Sequence, residues 1–370
     1  MDSSALVEWT TVGVRTVGCM ISEALSNKIR NIAFLCALLV VRRHIGLKGD
    51  VGTCVWYVEQ IVVETLGMVA VPFFFTVSGF FLAAHIDEKG WWRRECGKRI
   101  HSLFVPYLIW TVIACISTVP LSVLADWMAE RPVGTSVWFL HDADLWQVFG
   151  FNLVKDPYHY PLWYIRSLLL LVTISPLLVC VIRRFRWWWL AFCMLAYLFA
   201  NIFTCGDVGN FLSHGFSLRG LLYFSAGVFI QMSLDRLKMS AAAGRCSLIV
   251  GLLLLGGKII LAFHGSRFDV IMRDLSIPFL LLAIWRVVPS NCRWGGLAFP
   301  LYVMHILFFP YVDAVIPRIL PQIAPEMLAG IRFLVGVSAS LVVANMLLLY
   351  CPRLSSWLFG GRIYRFRLCP

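Results

Sequence analysis

Charge is scarce in this sequence. Only 14% of its 370 residues are Asp, Glu, Lys or Arg, against 60% that are hydrophobic, and the mean hydropathy is +0.80. A soluble core of this length cannot hide so much apolar surface, and no soluble basic domain exists to turn the net charge of +12 toward nucleic acid. Although there are 12 cysteines, no CxxC pair occurs, and most lie in apolar segments where a thiol acts as a small hydrophobe. No metal is expected, while a disulfide between Cys54 and Cys205 is conceivable. Also missing are a polar linker, an internal repeat, a low-complexity tract and the ordered parts of a removable signal peptide. These absences leave one integral membrane bundle.

What is present fits that class. A spanning helix needs about 20 largely apolar residues, and by that measure the sequence predicts about ten. They fall near 30–47, 61–83, 103–124, 161–182, 187–204, 217–234, 246–263, 275–290, 296–316 and 328–350. Fifteen Trp and 27 Phe suit interfacial belts and lipid-facing packing. With the N-terminus inside, the inner segments collect roughly 20 of the 32 Lys and Arg, against about nine outside. The expected fold is therefore an all-α membrane protein, a single polytopic bundle with both termini cytoplasmic. Residues 1–27 would be an N-terminal cytoplasmic segment, 28–357 the transmembrane domain and 358–370 a basic cytoplasmic tail. The longest outer connection, about 125–160, carries Asp126, Glu130, His141, Asp142, Asp144, Asp156 and His159, and is either a solvated linker or a lid or binding surface.

Ionisable residues within spans are costly and normally face protein or a watery cavity. Here they gather at the outer ends. His44 closes the first span after Arg42 and Arg43, Glu64 opens the second, Arg166 the fourth, Arg219 the sixth and Arg332 the tenth. An imidazole there either reaches headgroups or acts as a general base on a hydroxyl attacking a carbonyl. Glu64 could orient it, and Arg166 or Arg332 could stabilise an oxyanion or hold an acidic acceptor. His305, inside FPLYVMHILFFP, is a second functional imidazole or one bonded to a neighbouring helix. On the inner face Lys98, Arg99, Arg183, Arg184 and Arg186 could grip phosphates of a cytoplasmic donor, although the positive-inside bias alone would place cations there.

Six pieces in order carry a family pattern: AFLCALLVVRRH, VAVPFFFTVSGFFL, KRIHSLFVPYLIW, PLWYIRSLLLL, RGLLYFSAGVFI and AFPLYVMHILF. From about Lys28 to Trp357 the chain resembles the acyltransferase-3 family of membrane acyltransferases, which includes bacterial O-acetyltransferases of surface glycans. The resemblance implies a catalytic His44, an acyl-CoA donor, usually acetyl-CoA, and an acceptor hydroxyl on a glycan or lipid-linked saccharide. It also implies a multi-pass protein of the bacterial cytoplasmic (inner) membrane. On this reading Glu64 and Arg166 join His44 in catalysis, Lys98, Arg99 and Ser78 serve the donor, and Arg43, Trp163, Arg332 and His305 serve the acceptor. Ser78-Gly79 also permits close helix approach, and Pro72 and Pro106 can bend their helices. One departure is that many members carry Arg or Lys eleven positions before this histidine, where Ala33 stands here; Arg30, a turn earlier, is about 21 Å from His44 along the helix. A transporter or flippase without acyl transfer, or a glycan polymerase using a lipid-linked donor, are the competing readings.

Overall fold

The computed structural model describes residues 23–47, 49–128, 145–233, 241–290 and 297–361. Glu130, His141, Asp142 and Asp144 of the expected outer loop, most of the segment 1–27 and most of the tail lie outside the described residues. Among the described residues the ordered elements are helices, and no strand occurs.

Helix α1 is Glu23–Arg43, with acidic Glu23 in its first turn and basic Arg42 and Arg43 in its last, each sign favoured by the helix dipole. Gly46, at φ 71, supplies the left-handed conformation that turns the chain after it. Helix α2, Cys54–Ala83, begins on a Thr53 cap whose hydroxyl accepts from Trp56 N and contains a π-helical stretch, Glu59–Leu66. Helix α3 joins Trp91–Arg99, a π-helical Ile100–Phe104 and Val105–Met128. Then come α4 (Trp163–Thr173), α5 (Ser175–Phe185), α6 (Trp187–Phe203), α7 (Leu218–Met232), α8 (Ala241–Phe263), α9 (Asp269–Val287), α10 (Ala298–Ile319), α11 (Pro325–Tyr350) and α12 (Pro352–Leu358).

Nine of the ten predicted spans each overlap one helix and the fourth overlaps the α4–α5 pair, but among the described residues only six helices are long and apolar enough by themselves to cross a membrane: α1, α2, α3, α8, α10 and α11. The pair α4–α5, bent by 69°, makes a seventh if counted as one broken span. The other three fall short for visible reasons. Helix α6 has 17 residues and α7 has 15, whereas α9 carries Asp269, Arg273, Asp274 and Arg286. Large apolar side chains on the outside of the bundle, such as Leu253 (71% exposed) and Leu349 (74%), are what a lipid-facing surface requires.

The centre of the bundle is the crossing of α2 and α7. A Cβ on Gly79 would lie 2.1 Å from Phe224 O, and one on Gly227 would lie 2.0 Å from Thr76 O, so each glycine admits the other helix's backbone. The approach expected at Ser78-Gly79 therefore belongs to Gly79. Around it Phe75, Leu82, Leu168, Leu171 and Phe224 are buried in one core. Pro72 lies within α2, and Thr76 Oγ1 donates to its carbonyl at 2.8 Å.

Candidate active site

Helix α1 ends at Arg43, four residues before the expected end of the first span, so His44 sits in the turn beyond it, where its backbone N lies 3.3 and 3.2 Å from the carbonyl oxygens of Val40 and Val41. Two ion pairs fix this turn to the π-helical part of α2. Arg42 pairs with Glu59 in a mostly buried contact, and Arg43 Nη1 meets Glu64 Oε1 at 2.6 Å with both side chains about one-third exposed. The wider π turn carries these carboxylates at the end of α2 that meets α1; such turns recur at functional sites. Arg42 Nη1 keeps no hydrogen-bond partner among the described residues.

Beside this turn lies a cavity of about 110 Å³. Arg43 and His44 line it from α1, Gly67 and Met68 from α2, Tyr160 and Trp163 from the entry to α4, and His214 and Arg219 from the approach to α7. The space can hold several waters or a small polar group. Four imidazoles belong to its neighbourhood. The Tyr160 ring stands edge-on to both His44 (5.5 Å between centroids) and His214 (5.7 Å). The His44 and His305 rings are 5.3 Å apart. His159 is buried, and its Nε2 donates to Val303 O at 2.7 Å.

These rings are held differently. His305 is fully buried, its Nδ1 donates to Leu301 O at 3.0 Å, and its Nε2 has no partner among the described residues. His214 Nδ1 faces Asp156 Oδ1 at 2.9 Å and its ring stacks on Trp163 at 4.4 Å, an imidazole oriented by a carboxylate as a base is oriented in acyl-transfer sites. Burial, then the charge of Arg43, then His159, push the pKa of His44 down to about 4. Burial likewise pushes His159 down to about 4, against the raising effect of its bond to Val303. At neutral pH His44 is an uncharged base.

The remaining expected site residues separate into two groups. Arg166 is buried, with Nη1 at 2.9, 3.0 and 2.9 Å from the carbonyls of Gly150, Asn152 and Lys155 and Nη2 at 3.2 Å from His214 O. It ties the 150–155 segment and the His214 segment together and is not among the cavity-lining residues. Arg332 pairs with Asp313 and donates to Ile45 O at 3.0 Å, steadying the residue after His44. Lys98 and Arg99 lie at the start of α3, both near the buried Glu95, at 2.8 and 3.8 Å. Ser78, five residues from the end of α2, is about 21 Å along that helix from Glu64. The structure thus gathers His44, Arg43, Glu64, Trp163, His305 and Arg332 at one end and leaves Ser78, Lys98 and Arg99 at the other.

Arg30 is exposed, and Ala33 packs against the core, so no cation occupies the family position. Cys54 and Cys205 are both free and exposed. The described residues contain no group of three His, Cys, Asp or Glu side chains suited to a metal ion. Sequence reasoning missed His214, its pairing with Asp156 and the place of Arg219 in the cavity wall. The available signal was FLSHGFSLRG, a short run that puts His, Arg, Gly and three polar or small residues between apolar helices.

These features define a polytopic helical membrane protein with a cavity at one end of the bundle furnished with histidines and arginines. The chain belongs to the acyltransferase family represented by the acyltransferase domain, which matches residues 30–350, nearly its whole length. It is on that ground a multi-pass membrane acyltransferase, and the transporter reading gains no support. No curated protein and no solved structure matches it significantly.

Proposed function

We propose that the protein transfers an acyl group, acetyl above all, from a CoA thioester to a hydroxyl of a glycan or lipid-linked saccharide. The observation that carries this reading is the imidazole of His44 on the wall of a cavity it shares with Arg43, His214 and Arg219, in a chain of the acyltransferase family. His44 takes the proton of the acceptor hydroxyl as its oxygen attacks the thioester carbonyl. The tetrahedral adduct collapses, the C–S bond breaks, and the CoA sulfur leaves with a proton returned by the imidazolium. Glu64 acts by holding Arg43, and Arg166 acts by positioning the His214 segment. His305 packs against His44, and Trp163 offers an aromatic face to a sugar.

The phosphates of the donor belong at the opposite end, with the pantetheine arm reaching into the bundle to bring the thioester to His44. Lys98 has a side chain 60% exposed and can meet CoA phosphates while still near Glu95, and Arg99 retains a buried Nε without a partner among the described residues. Ser78 lies between these cations and the cavity. The arrangement fits a bilayer in which α1, α2, α3, α8, α10 and α11, the bent α4–α5 pair, the short α6 and α7 and the charged α9 make about ten crossings. Cation-rich inner segments then put both termini in the cytoplasm, CoA at the inner face and the acceptor at the outer face of a bacterial inner membrane.

The test is purified protein with labelled acetyl-CoA and glycan acceptors, wild type against His44→Ala. Transfer that falls at least about 100-fold in the variant supports the assignment. Equal labelling by both proteins would remove His44 from catalysis, and consumption of a different acyl-CoA would replace only the donor.

A further inference from the structure

The mechanism leaves one buried charge without work. Arg219 is 7% exposed and lines the cavity, yet it makes no ion pair among the described residues. Among the described residues its Nη1 has only Met68 Sδ, at 3.6 Å, and its Nε has no partner, while its guanidinium carbon sits 6.0 Å from the Trp163 ring centre. Asp156 and Asp274 spend their charge on other partners: Asp156 faces His214, and Asp274 meets Arg273 and Asn201. A guanidinium this buried, with no carboxylate paired to it among the described residues, is costly to maintain and is compensated once an anion arrives.

The backbone beside it bears the mark of a built site. Ser217 is a non-glycine residue at φ 56, fully buried, whose hydroxyl accepts from Gly220 N at 3.1 Å and starts α7. Left-handed backbone at such a residue persists only where the surroundings hold it, and functional sites are where it collects. Here it separates His214 from Arg219 and allows both to reach the same cavity.

Resting on the acyl-transfer reading, we propose that Arg219 seats a permanent anion of the acceptor, a carboxylate or a phosphate, carried on the same saccharide unit as the reacting hydroxyl or on its neighbour. The cavity is small enough that an anion on Arg219 and a hydroxyl at His44 belong to one compact group. Planar bidentate pairing suits guanidinium to both anions. The acceptor is therefore an acidic sugar or a sugar phosphate, not a neutral glycan.

Three acceptors that differ in charge test this: methyl glucoside, methyl glucuronide and methyl glucoside 6-phosphate. They are presented with labelled acetyl-CoA to the full chain in detergent, as wild type, Arg219→Gln and Arg219→Lys. One anionic acceptor is expected to exceed the neutral one by roughly 10-fold or more in kcat/KM, with the advantage lost in Arg219→Gln and partly kept in Arg219→Lys. The arm that wins, glucuronide or phosphate, names the anion. Thermal unfolding with the same three compounds is measured in parallel and needs no turnover. An upward shift confined to an anionic compound in wild type and lost in Arg219→Gln supports the seat. Equal treatment of all three compounds in both measurements, or a preference that survives Arg219→Gln, overturns it. So does an equal loss in Arg219→Gln of acetyl-CoA hydrolysis and of transfer to every acceptor, which would place Arg219 on the oxyanion. If wild type consumes no acyl-CoA, the acyl-transfer reading fails while the charge-dependent shift still decides Arg219.

Discussion

The rings of His44 and His305 lie 5.3 Å apart at 36°, and the Nδ1–H of His305 is already committed to Leu301 O. That bond fixes the tautomer of His305, so its unpartnered Nε2 is an acceptor beside the proposed base. A fixed neighbour can restrict which way His44 turns without touching substrate. His305→Leu keeps apolar bulk in the core, and Leu301 O still lies within the helical ladder. The expected outcome is a kcat lowered roughly 10- to 100-fold with little change in KM for the acyl donor. Steady-state kinetics on the folded variant measures it, and an unchanged kcat would reduce His305 to packing.

The pH profile follows from the sign of the His44 shift. Its pKa falls from 6.5 to about 4 because burial disfavours the cation, as do Arg43 and, less strongly, His159. The working base is the neutral form, so kcat/KM should stay level as pH drops through 6.5 and decline only toward about pH 4. Arg43→Gln removes one of the lowering influences and should move the acidic limb upward. Glu64→Gln removes the negative charge that offsets Arg43 and should move the limb the other way, downward. An acidic limb centred at 6.5 in wild type would contradict this environment for the base.

The α2–α7 crossing should tolerate no side chain at its two glycines. With Phe224 O at 2.1 Å and Thr76 O at 2.0 Å from the added carbon, Gly79→Ala and Gly227→Ala must push backbone away from backbone. A loss of about 1–3 kcal/mol or more is expected for each, read as a lower melting temperature of the detergent-purified protein. Gly97→Ala is the control, because nothing lies within 4 Å of its added carbon. It should be neutral or slightly stabilising.

The apolar runs made the helices legible, since a helix in lipid must close its own hydrogen bonds over a length set by the bilayer. The same rule exposed His44, Glu64 and Arg332 as ionisable residues at span ends. What the runs could not carry was pairing across the chain. Asp156 lies in a loop without periodicity, and its partner His214 sits in a short π-helical segment that no apolar pattern announces. Arg219 was visible at a helix start, but its lack of a counter-ion depends on where Asp156 and Asp274 spend their charges. Nor does composition tell that Arg166 would face carbonyl oxygens, because a buried arginine reads the same whether it meets backbone or substrate.

That ambiguity of Arg166 has an experimental answer. Its guanidinium nitrogens lie within 2.9–3.2 Å of four backbone carbonyls, from Gly150, Asn152, Lys155 and His214. A lysine keeps the charge but cannot offer donors in a planar fork to carbonyls on two separate segments. If Arg166 acts through this scaffold, Arg166→Lys should cost about 3 kcal/mol of stability and lower the melting temperature by several degrees. Activity should fall with it, because the displaced backbone carries His214 and adjoins Tyr160 on the cavity wall. An arginine that instead touched the reacting oxygens would lose kcat in the lysine variant while the melting temperature stayed in place. Measured on one preparation, melting temperature and kcat therefore separate a positioning residue from a catalytic one.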